Sequence, residues 1–174
     1  MNTNTAFSEL INGRYSCKKF SPQPVGRGQL NFILEAGRAA PTARNNQPQR
    51  IYVVESPEGL AKIDGLTPCR YGAGTVLIVA YDSGNIYTYP GDKYDSGVED
   101  AAIVATHMML AAKAAGVESC WLNRFDPDEA AAAFALPENE RVVLLMDLGY
   151  PAPEAGPLPN HSKRRPMDET VTFL

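Results

Sequence analysis

A short basic segment near the amino terminus has residue types and spacing suited to binding a phosphate group. Arg14, Ser16 and Lys18 alternate within the run from Arg14 to Phe20. Alternate side chains of an extended chain project to one side. Two cations and a hydroxyl would then face the same way and supply the charge-assisted donors that a phosphate dianion requires. Taken alone, the same residues also fit a solvated basic loop.

A second segment, residues 40–48, concentrates amide side chains between two prolines. Asn45, Asn46 and Gln47 each carry donors and acceptors, and Pro41 and Pro48 bend the chain on either side. Such groups can bind the edge of a heterocycle with alternating donors and acceptors, such as the pyrimidine ring of a flavin. An ordinary Asn and Pro turn is the alternative. The segment alone does not decide between the two.

Hydrophobic periodicity and turn residues predict helices and strands that alternate along the chain. The strand 76–81 is a continuous apolar run, typical of a central strand covered on both faces. The helix 97–115 is apolar nearly all round, has Ser96 and Glu99 at capping-box spacing, and is expected to be the buried central helix. The predicted helices cover about 4–12, 28–39, 57–64, 97–115 and 126–136, and the predicted strands cover 50–55, 76–81, 119–122 and 141–148.

The last part of the chain is expected to be an extended tail. Residues 149–160 contain four prolines and two glycines, so they cannot join a central sheet. Residues 170–173 could add as a strand to the sheet edge of a partner chain. The interleaved helices and strands point to a layered α/β arrangement around one buried helix, and the short connections also permit antiparallel strand pairs. No domain boundary is visible, so we expect residues 1–174 to form one domain.

Composition and charge argue against several classes of function. The 174 residues carry a net charge of −4, which offers no basic surface for nucleic acid. No apolar run approaches the roughly 20 residues of a membrane-spanning helix, and the start lacks a secretory pattern, so we expect a cytoplasmic protein. The widely spaced Cys17, Cys69 and Cys120 argue against a disulfide framework. With only His107 and His161 as histidines, no metal centre is expected, and His107 is expected to be a hydrogen-bonded core residue.

The two polar segments, in this order and at this spacing, resemble the start of the FMN-dependent nitroreductase family. That family has an R-x-S-x-R/K-x-F stretch followed by an A-P-S-A-x-N-x-Q-P turn. Here Thr42 stands where serine is usual, and Gln49 replaces an aromatic residue that often follows. The resemblance continues through residues 100–112, 116–125, 148–151 and 161–166 and so covers nearly the whole chain. The matching positions in the two segments are Arg14, Ser16, Lys18, Phe20, Ala40, Pro41, Thr42, Ala43, Asn45, Gln47 and Pro48.

The resemblance implies a fold and an assembly. The fold would be a layered α+β arrangement, with a central, mostly antiparallel sheet flanked by helices. The chain would form a homodimer in which the tail, residues 150–174, is exchanged and wraps the partner subunit. The flavin would then lie at the subunit interface.

FMN is the cofactor that the resemblance implies. Arg14 and Ser16, with Tyr15 between them, would bind its phosphate together with Arg164 from the tail or, as a second choice, Arg165. Lys18 would reach the ribityl chain or the O2 edge of the ring. A cation there stabilises the negative charge of the reduced flavin.

The isoalloxazine ring would be contacted by the 40–48 turn, in this family often from the other subunit, and by the segment that follows the third strand. Arg124 departs from the pattern, because a small residue is common there, and it could narrow the substrate side or attract an anionic ligand. Residues 65–74 offer no clear counterpart for polar flavin contacts of longer members. The implied ring contacts are Pro41, Thr42, Ala43, Asn45, Gln47, Trp121, Leu122, Asn123 and Arg124.

The implied activity is that of an NAD(P)H oxidoreductase. NADH or NADPH would reduce the FMN, and a nitroaromatic, quinone or similar acceptor would then take the electrons. No side chain need act as a catalyst, because the cofactor carries the reaction. Two alternatives stay open at this point: a flavin-binding or storage protein with little turnover, and a specialised relative that dehalogenates or oxidatively cleaves a ring.

Overall fold

The computed structural model describes residues 3–174, so residues 1 and 2 of the expected domain lie outside the described residues. Every predicted helix and strand is present, with ends that differ by a few residues. The helices are α1 (Thr3–Gly13), α2 (Arg27–Arg38), α3 (Pro57–Leu66), α4 (Gly97–Ala114) and α5 (Pro127–Ala133), and the strands are β1 (Gln49–Val54), β2 (Thr75–Asp82), β3 (Glu118–Leu122) and β4 (Glu140–Gly149).

Within residues 3–174 the four strands form one sheet in the order β1, β2, β4, β3, and every neighbouring pair is antiparallel. The predicted layered fold with an antiparallel central sheet is therefore confirmed. Residues 75–80 of β2 are all buried, as expected of a central strand. Because side chains alternate across a strand, β2 and β4 each contribute to two separate apolar clusters, one on each face of the sheet.

One face of the sheet packs on α2 and α4 through residues such as Leu77, Leu144 and Met146. The opposite face packs on α3, α5 and the segment that follows α1, with Ile78 and Leu145 among the buried side chains. Full burial of each such side chain contributes about 1.5–3 kcal/mol. The two clusters therefore hold the helices and the basic segment against the sheet.

The start of α4 differs from the prediction. Ser96 does not cap the helix, because its hydroxyl accepts a hydrogen bond from the backbone N–H of Tyr87 at 3.0 Å. The Asp95 carboxylate instead accepts from the Gly97 N–H at 2.9 Å, and Glu99 accepts from the Tyr89 hydroxyl. The loop before the helix thus takes up both groups of the expected capping box.

Only one face of α4 is buried, which also corrects the prediction. Ala101, Val104, Ala105 and Met108 face the sheet and α2, whereas the Val98 side chain on the outer face is 57% exposed. Within the described residues, no other element covers Val98 on that face. Among the described residues no helix, α4 included, is long and apolar enough to cross a membrane.

The tail begins by pairing with its own chain. The backbone N–H of Ser21 donates to the Tyr150 carbonyl at 2.8 Å, and that of Ala152 donates to the Lys19 carbonyl at 3.1 Å. Residues 162–174 are exposed, and residues 170–173 form no strand within the single chain. The expected exchange of the tail between subunits stays a prediction.

Candidate functional site

A cavity of about 380 Å³ lies between the basic segment and the exposed edge of the sheet at β3. Its volume is within the range of small-molecule and cofactor sites. The lining combines two cations, two thiols, hydroxyl and amide groups and two aromatic rings. The lining residues are Ser16, Lys18, Cys69, Tyr71, Cys120, Trp121, Leu122, Asn123 and Arg124.

The basic segment runs beside β3 and turns alternate side chains into the cavity. The Cys17 N–H donates to the Ser119 carbonyl at 3.0 Å, and the Cys17 side chain is buried in the core. Because Cys17 points inward, Ser16 and Lys18 on either side of it project to the cavity, as their spacing predicts. The Lys18 ammonium lies 5.8 Å from the centre of the Tyr71 ring. Arg14 does not line this cavity.

The end of β3 supplies the opposite wall. Leu122 is buried in the core cluster, which fixes the strand at its last residue. The indole N–H of Trp121 donates to the Asn123 side chain at 2.6 Å, and the Asn123 amide donates to the Val143 carbonyl at 3.3 Å. Arg124 follows at the rim, exposed, and has no ion pair or hydrogen bond among residues 3–174.

Residues 65–74 do line the cavity, although the sequence offered no clear contact in this stretch. The Phe20 N–H donates to the Tyr71 carbonyl at 3.0 Å, which ties this loop to the basic segment and places Cys69 and Tyr71 in the wall. The pKa of the Cys69 thiol is lowered, first by its hydrogen bond with Tyr71, while partial burial opposes the shift. Cys69, Tyr71 and Cys120 were missed because nothing in the sequence pairs them with the basic segment.

A smaller cavity of about 100 Å³ also borders Ser16, and its other lining residues are Leu158, Asn160 and His161. The His161 ring meets the Tyr15 ring edge to face, with centroids 6.4 Å apart. The tail therefore reaches the basic segment of its own chain. The Arg164 guanidinium donates to the carbonyls of His161 at 2.6 Å and Lys163 at 2.8 Å, and Arg165 is exposed.

The turn at residues 41–47 has strained backbone. Arg44, Asn45 and Gln47 adopt φ values of 54°, 57° and 53°, in the left-handed region that non-glycine residues rarely occupy. Such strain persists only when the surrounding structure holds it and often occurs at functional sites. Here the buried Asp100 of α4 accepts from the Ala43 N–H at 2.7 Å, and the Thr42 hydroxyl accepts from the Gln47 N–H at 3.0 Å.

The turn and the cavity do not meet within one chain. No residue of 41–47 lines the cavity along β3. The turn packs instead on the loop before α4, where the Arg44 guanidinium lies 4.8 Å from the centre of the Tyr87 ring and Asn85 donates to the Asn46 carbonyl at 2.7 Å. The expected flavin contacts therefore fall into two separate groups on this chain.

The sequence of this chain is similar to a family of known proteins. The sequence model of the Nitroreductase family matches residues 11–70 and 65–150. A protein of Archaeoglobus fulgidus named as an NADH dehydrogenase/NAD(P)H nitroreductase is 30% identical over 155 residues, which cover 84% of this chain and 86% of the relative. The chain belongs to the nitroreductase family.

Two solved structures of nitroreductases have the same fold as this chain. A nitroreductase family protein from Clostridium difficile 630 is 34% identical, with a TM-score of 0.87 over 95% of this chain and 96% of that one. A nitroreductase from Exiguobacterium sibiricum, solved in complex with FMN, has a TM-score of 0.82 over 97% of each chain at 21% identity. At that identity the second likeness concerns the fold alone.

Behind the cavity wall of this nitroreductase lies a buried carboxyl group. Asp147 of β4 pairs with Cys120 of β3 in the sheet register, is fully buried, and has no hydrogen-bond partner for either oxygen among residues 3–174. Burial raises the pKa of Asp147 to about 9, so the group is neutral at pH 7. Burial, and next the neighbouring Asp147, raise the pKa of Cys120 to about 12.

His107 is not the hydrogen-bonded core histidine that the sequence predicts. It is half-buried on the outer face of α4, and no described residue forms a hydrogen bond with its ring. It lines a shallow, mostly apolar hollow of about 390 Å³ with Glu99, Ala102, Ile103 and Thr106. Because this hollow lacks a cluster of cations and amide donors, it does not suit a phosphorylated cofactor.

The buried Asp147 carboxyl is expected to make the free energy of unfolding depend on pH. Above the ordinary carboxyl pKa of about 3.9, the unfolded chain releases this proton, whereas the folded protein keeps it up to a pH of about 9. The contribution of Asp147 to stability is thus fully present below pH 4 and is lost as the pH rises towards 9. We expect wild type to lose up to about 4 kcal/mol relative to Asp147→Asn between pH 5 and pH 8, at about 1.4 kcal/mol per pH unit.

Urea unfolding of both proteins at pH 5 and pH 8 measures this difference. The asparagine side chain has nearly the same shape as aspartate but cannot ionise, so the variant controls for packing when it is compared with wild type. Parallel pH dependences of the free energy of unfolding would show that Asp147 is ionised in the folded protein.

Proposed function

We propose that the protein is an FMN-dependent NAD(P)H oxidoreductase that passes hydride from NADH or NADPH to a nitroaromatic, quinone or similar small acceptor. The observation that carries the proposal is the cavity along β3, where Ser16 and Lys18 face Trp121 and Asn123. Family membership and the NAD(P)H nitroreductase name of the Archaeoglobus relative support the same activity, and the fold is one that binds FMN in the Exiguobacterium protein.

The residues present fit FMN. A phosphate needs cationic and hydroxyl donors. Those proposed for it are Ser16, which lines the small cavity, Arg14 and Tyr15 of the basic segment, and Arg164, or as a second choice Arg165, of the tail. A planar ring needs apolar walls and a few polar groups at its edge. In the larger cavity the side chains offered for this are Lys18, Trp121, Leu122, Asn123 and Arg124.

When bound, FMN supplies two-electron hydride transfer, which protein side chains cannot perform. The chain's own residues would bind and orient this cofactor. The Lys18 ammonium, held near the Tyr71 ring, provides positive charge at the ring edge and favours an electron-rich cofactor. Leu122 and the Trp121 ring limit access of water to one wall, and Trp121 is fixed by its hydrogen bond to Asn123.

A second copy of the chain would complete the site. The strained turn holds Pro41, Thr42, Ala43, Asn45 and Gln47 away from the cavity of its own chain, so these residues would contact the ring bound to the partner. The uncovered outer face of α4 and the exposed end of the tail, residues 162–174, are surfaces that a homodimer would bury. In this proposal residues 1–174 form one domain, the exposed end of the expected tail, residues 162–174, wraps the partner subunit, and the enzyme acts in the cytoplasm.

Anaerobic titration of the FMN-loaded protein with NADH and with NADPH tests the activity. We expect at least one nucleotide to bleach the flavin absorbance, and a nitroaromatic or quinone added afterwards to restore it. Free FMN under the same conditions is the control for uncatalysed reduction. If neither nucleotide reduces the bound flavin faster than free FMN, the protein stores flavin and the oxidoreductase proposal is wrong.

Replacing Arg14 tests the phosphate assignment. We expect Arg14→Ala to weaken FMN binding about 10- to 100-fold, as loss of a charge-assisted contact predicts, and to leave riboflavin binding nearly unchanged because riboflavin has no phosphate. Quenching of Trp121 fluorescence measures both affinities, since this residue is the only tryptophan of the chain and lines the cavity.

Arg38→Ala is the matched control for Arg14→Ala, because Arg38 is exposed and paired with Glu35 and lies outside the proposed site. Equal losses of affinity for FMN and riboflavin in Arg14→Ala would contradict a phosphate contact. The same pair of ligands applied to Arg164→Ala and Arg165→Ala decides which tail residue joins the phosphate site.

Mixed dimers test the shared site. Arg14→Ala impairs the cavity side, and Asn45→Ala impairs the turn side. When the two variants are co-expressed, each mixed dimer has one site with both intact contributions. We expect random pairing to restore about a quarter of the wild-type FMN sites, because half of the dimers are mixed and one of two sites is intact in each. If turn and cavity of the same chain formed the site, no intact site would arise and FMN content would stay at the level of the separate variants.

A further inference from the structure

The larger cavity has an unbalanced positive charge. Its lining includes Lys18 and Arg124 and no carboxylate. Neither cation forms an ion pair among residues 3–174. The Asp147 carboxyl behind Cys120 adds no negative charge at pH 7, because burial raises its pKa to about 9.

The Cys69 thiol in the wall lies within range of both positive charges. Its pKa is lowered first by the hydrogen bond with Tyr71 and also by the charges of Arg124 and Lys18. Burial alone would raise the pKa of a thiol. The two cations therefore act on groups inside the cavity and not only on the solvent around it.

The two cations differ in how they are held. Lys18 lies near the Tyr71 ring and is the residue proposed for the ring edge of the cofactor. Arg124 stands at the rim, two residues beyond the end of β3, exposed and without a partner for its side chain among the described residues. A guanidinium presents a planar pair of donors that matches carboxylate, sulfonate and phosphate groups.

We propose that Arg124 is a specificity-determining residue that binds an anionic group on the ligand that exchanges electrons in this cavity. The inference rests on the proposed function, because it assigns a substrate class to the same site. The shared chemistry is a carboxylate, sulfonate or phosphate close to the reacting group. Two sources can supply it: an anionic acceptor, or the 2′-phosphate that distinguishes NADPH from NADH.

Direct binding tests the inference without turnover. Isothermal titration of the FMN-loaded protein with benzoate and with benzamide compares an anionic ring with a neutral ring of nearly the same shape. We expect wild type to bind benzoate about 10-fold more tightly, the size of effect typical of one charge-assisted contact. Arg124→Gln is expected to abolish this preference, and Arg124→Lys to retain part of it because the charge remains but the planar donor pair is lost.

Arg27→Gln is the matched control, because it removes the same charge from an exposed arginine that pairs with Glu55 away from the cavity. It is expected to leave the preference for benzoate unchanged. An equal preference in wild type and Arg124→Gln would overturn the inference, and so would an equal loss in Arg27→Gln, since the effect would then come from overall charge.

Two kinetic ratios separate the sources. If the anion belongs to the acceptor, Arg124→Gln lowers the ratio of kcat/KM for 4-nitrobenzoate over nitrobenzene about 10-fold. If the anion is the nucleotide 2′-phosphate, the variant lowers the ratio of flavin reduction rates with NADPH over NADH instead. If neither ratio changes, Arg124 does not select the substrate and the inference is wrong.

Failure of the inference and failure of the proposed function have different signatures. If the bound flavin is not reduced by either nucleotide, the oxidoreductase proposal fails whatever the benzoate titration shows. If the flavin is reduced and benzamide binds as tightly as benzoate, the activity stands and only the role of Arg124 is lost.

Discussion

The structure depends on covering both faces of the central pair of strands, β2 and β4. Their side chains are buried on either side, so each face requires its own apolar layer. On one face α2 and α4 provide this layer. On the other face the helices α3 and α5 are short, and the chain completes the cover with a non-helical segment whose Cys17 and Phe20 are buried. The candidate site lies where that segment meets the edge strand β3.

This way of covering the sheet also places the polar groups. In an extended segment, burial of Cys17 forces its neighbours Ser16 and Lys18 outward, into the space beside β3. A shift by one residue would bury a lysine and expose the thiol, which the cost of burying an unpaired charge forbids. The alternating polar side chains of this segment are therefore the outward-facing half of a pattern whose inward-facing half, Cys17 and Phe20, packs in the core.

Most of the fold could be predicted because its signals are local. The apolar run of β2 and the prolines that begin α3 and α5 act through neighbouring residues. What could not be predicted depends on distant contacts. Ser96 accepts a hydrogen bond from Tyr87 instead of capping its own helix, and the outer face of α4, where Val98 is exposed, is not covered by any element within residues 3–174. In the site, Ser16, Lys18 and residues 121–124, which the resemblance implies as flavin contacts, line one cavity. Cys69 and Tyr71 join them through the hydrogen bond between the Phe20 N–H and the Tyr71 carbonyl, a contact that no local signal predicts.

The packing of a single chain does not account for the strained turn at residues 41–47. Three left-handed residues within four positions would relax if nothing held them, since each costs of order 1–3 kcal/mol. One oxygen of the Asp100 carboxylate accepts from the Ala43 N–H and so anchors the turn. The other oxygen is buried and has no partner among residues 3–174, so anchoring the turn leaves one polar atom of α4 unsatisfied. The backbone strain and the unpaired oxygen do not improve the packing of this chain, and no residue of the turn lines the cavity along β3. The proposed sharing of the site between two copies would account for a rigid, amide-rich turn, because a preformed contact surface loses less entropy when the partner and its ligand bind.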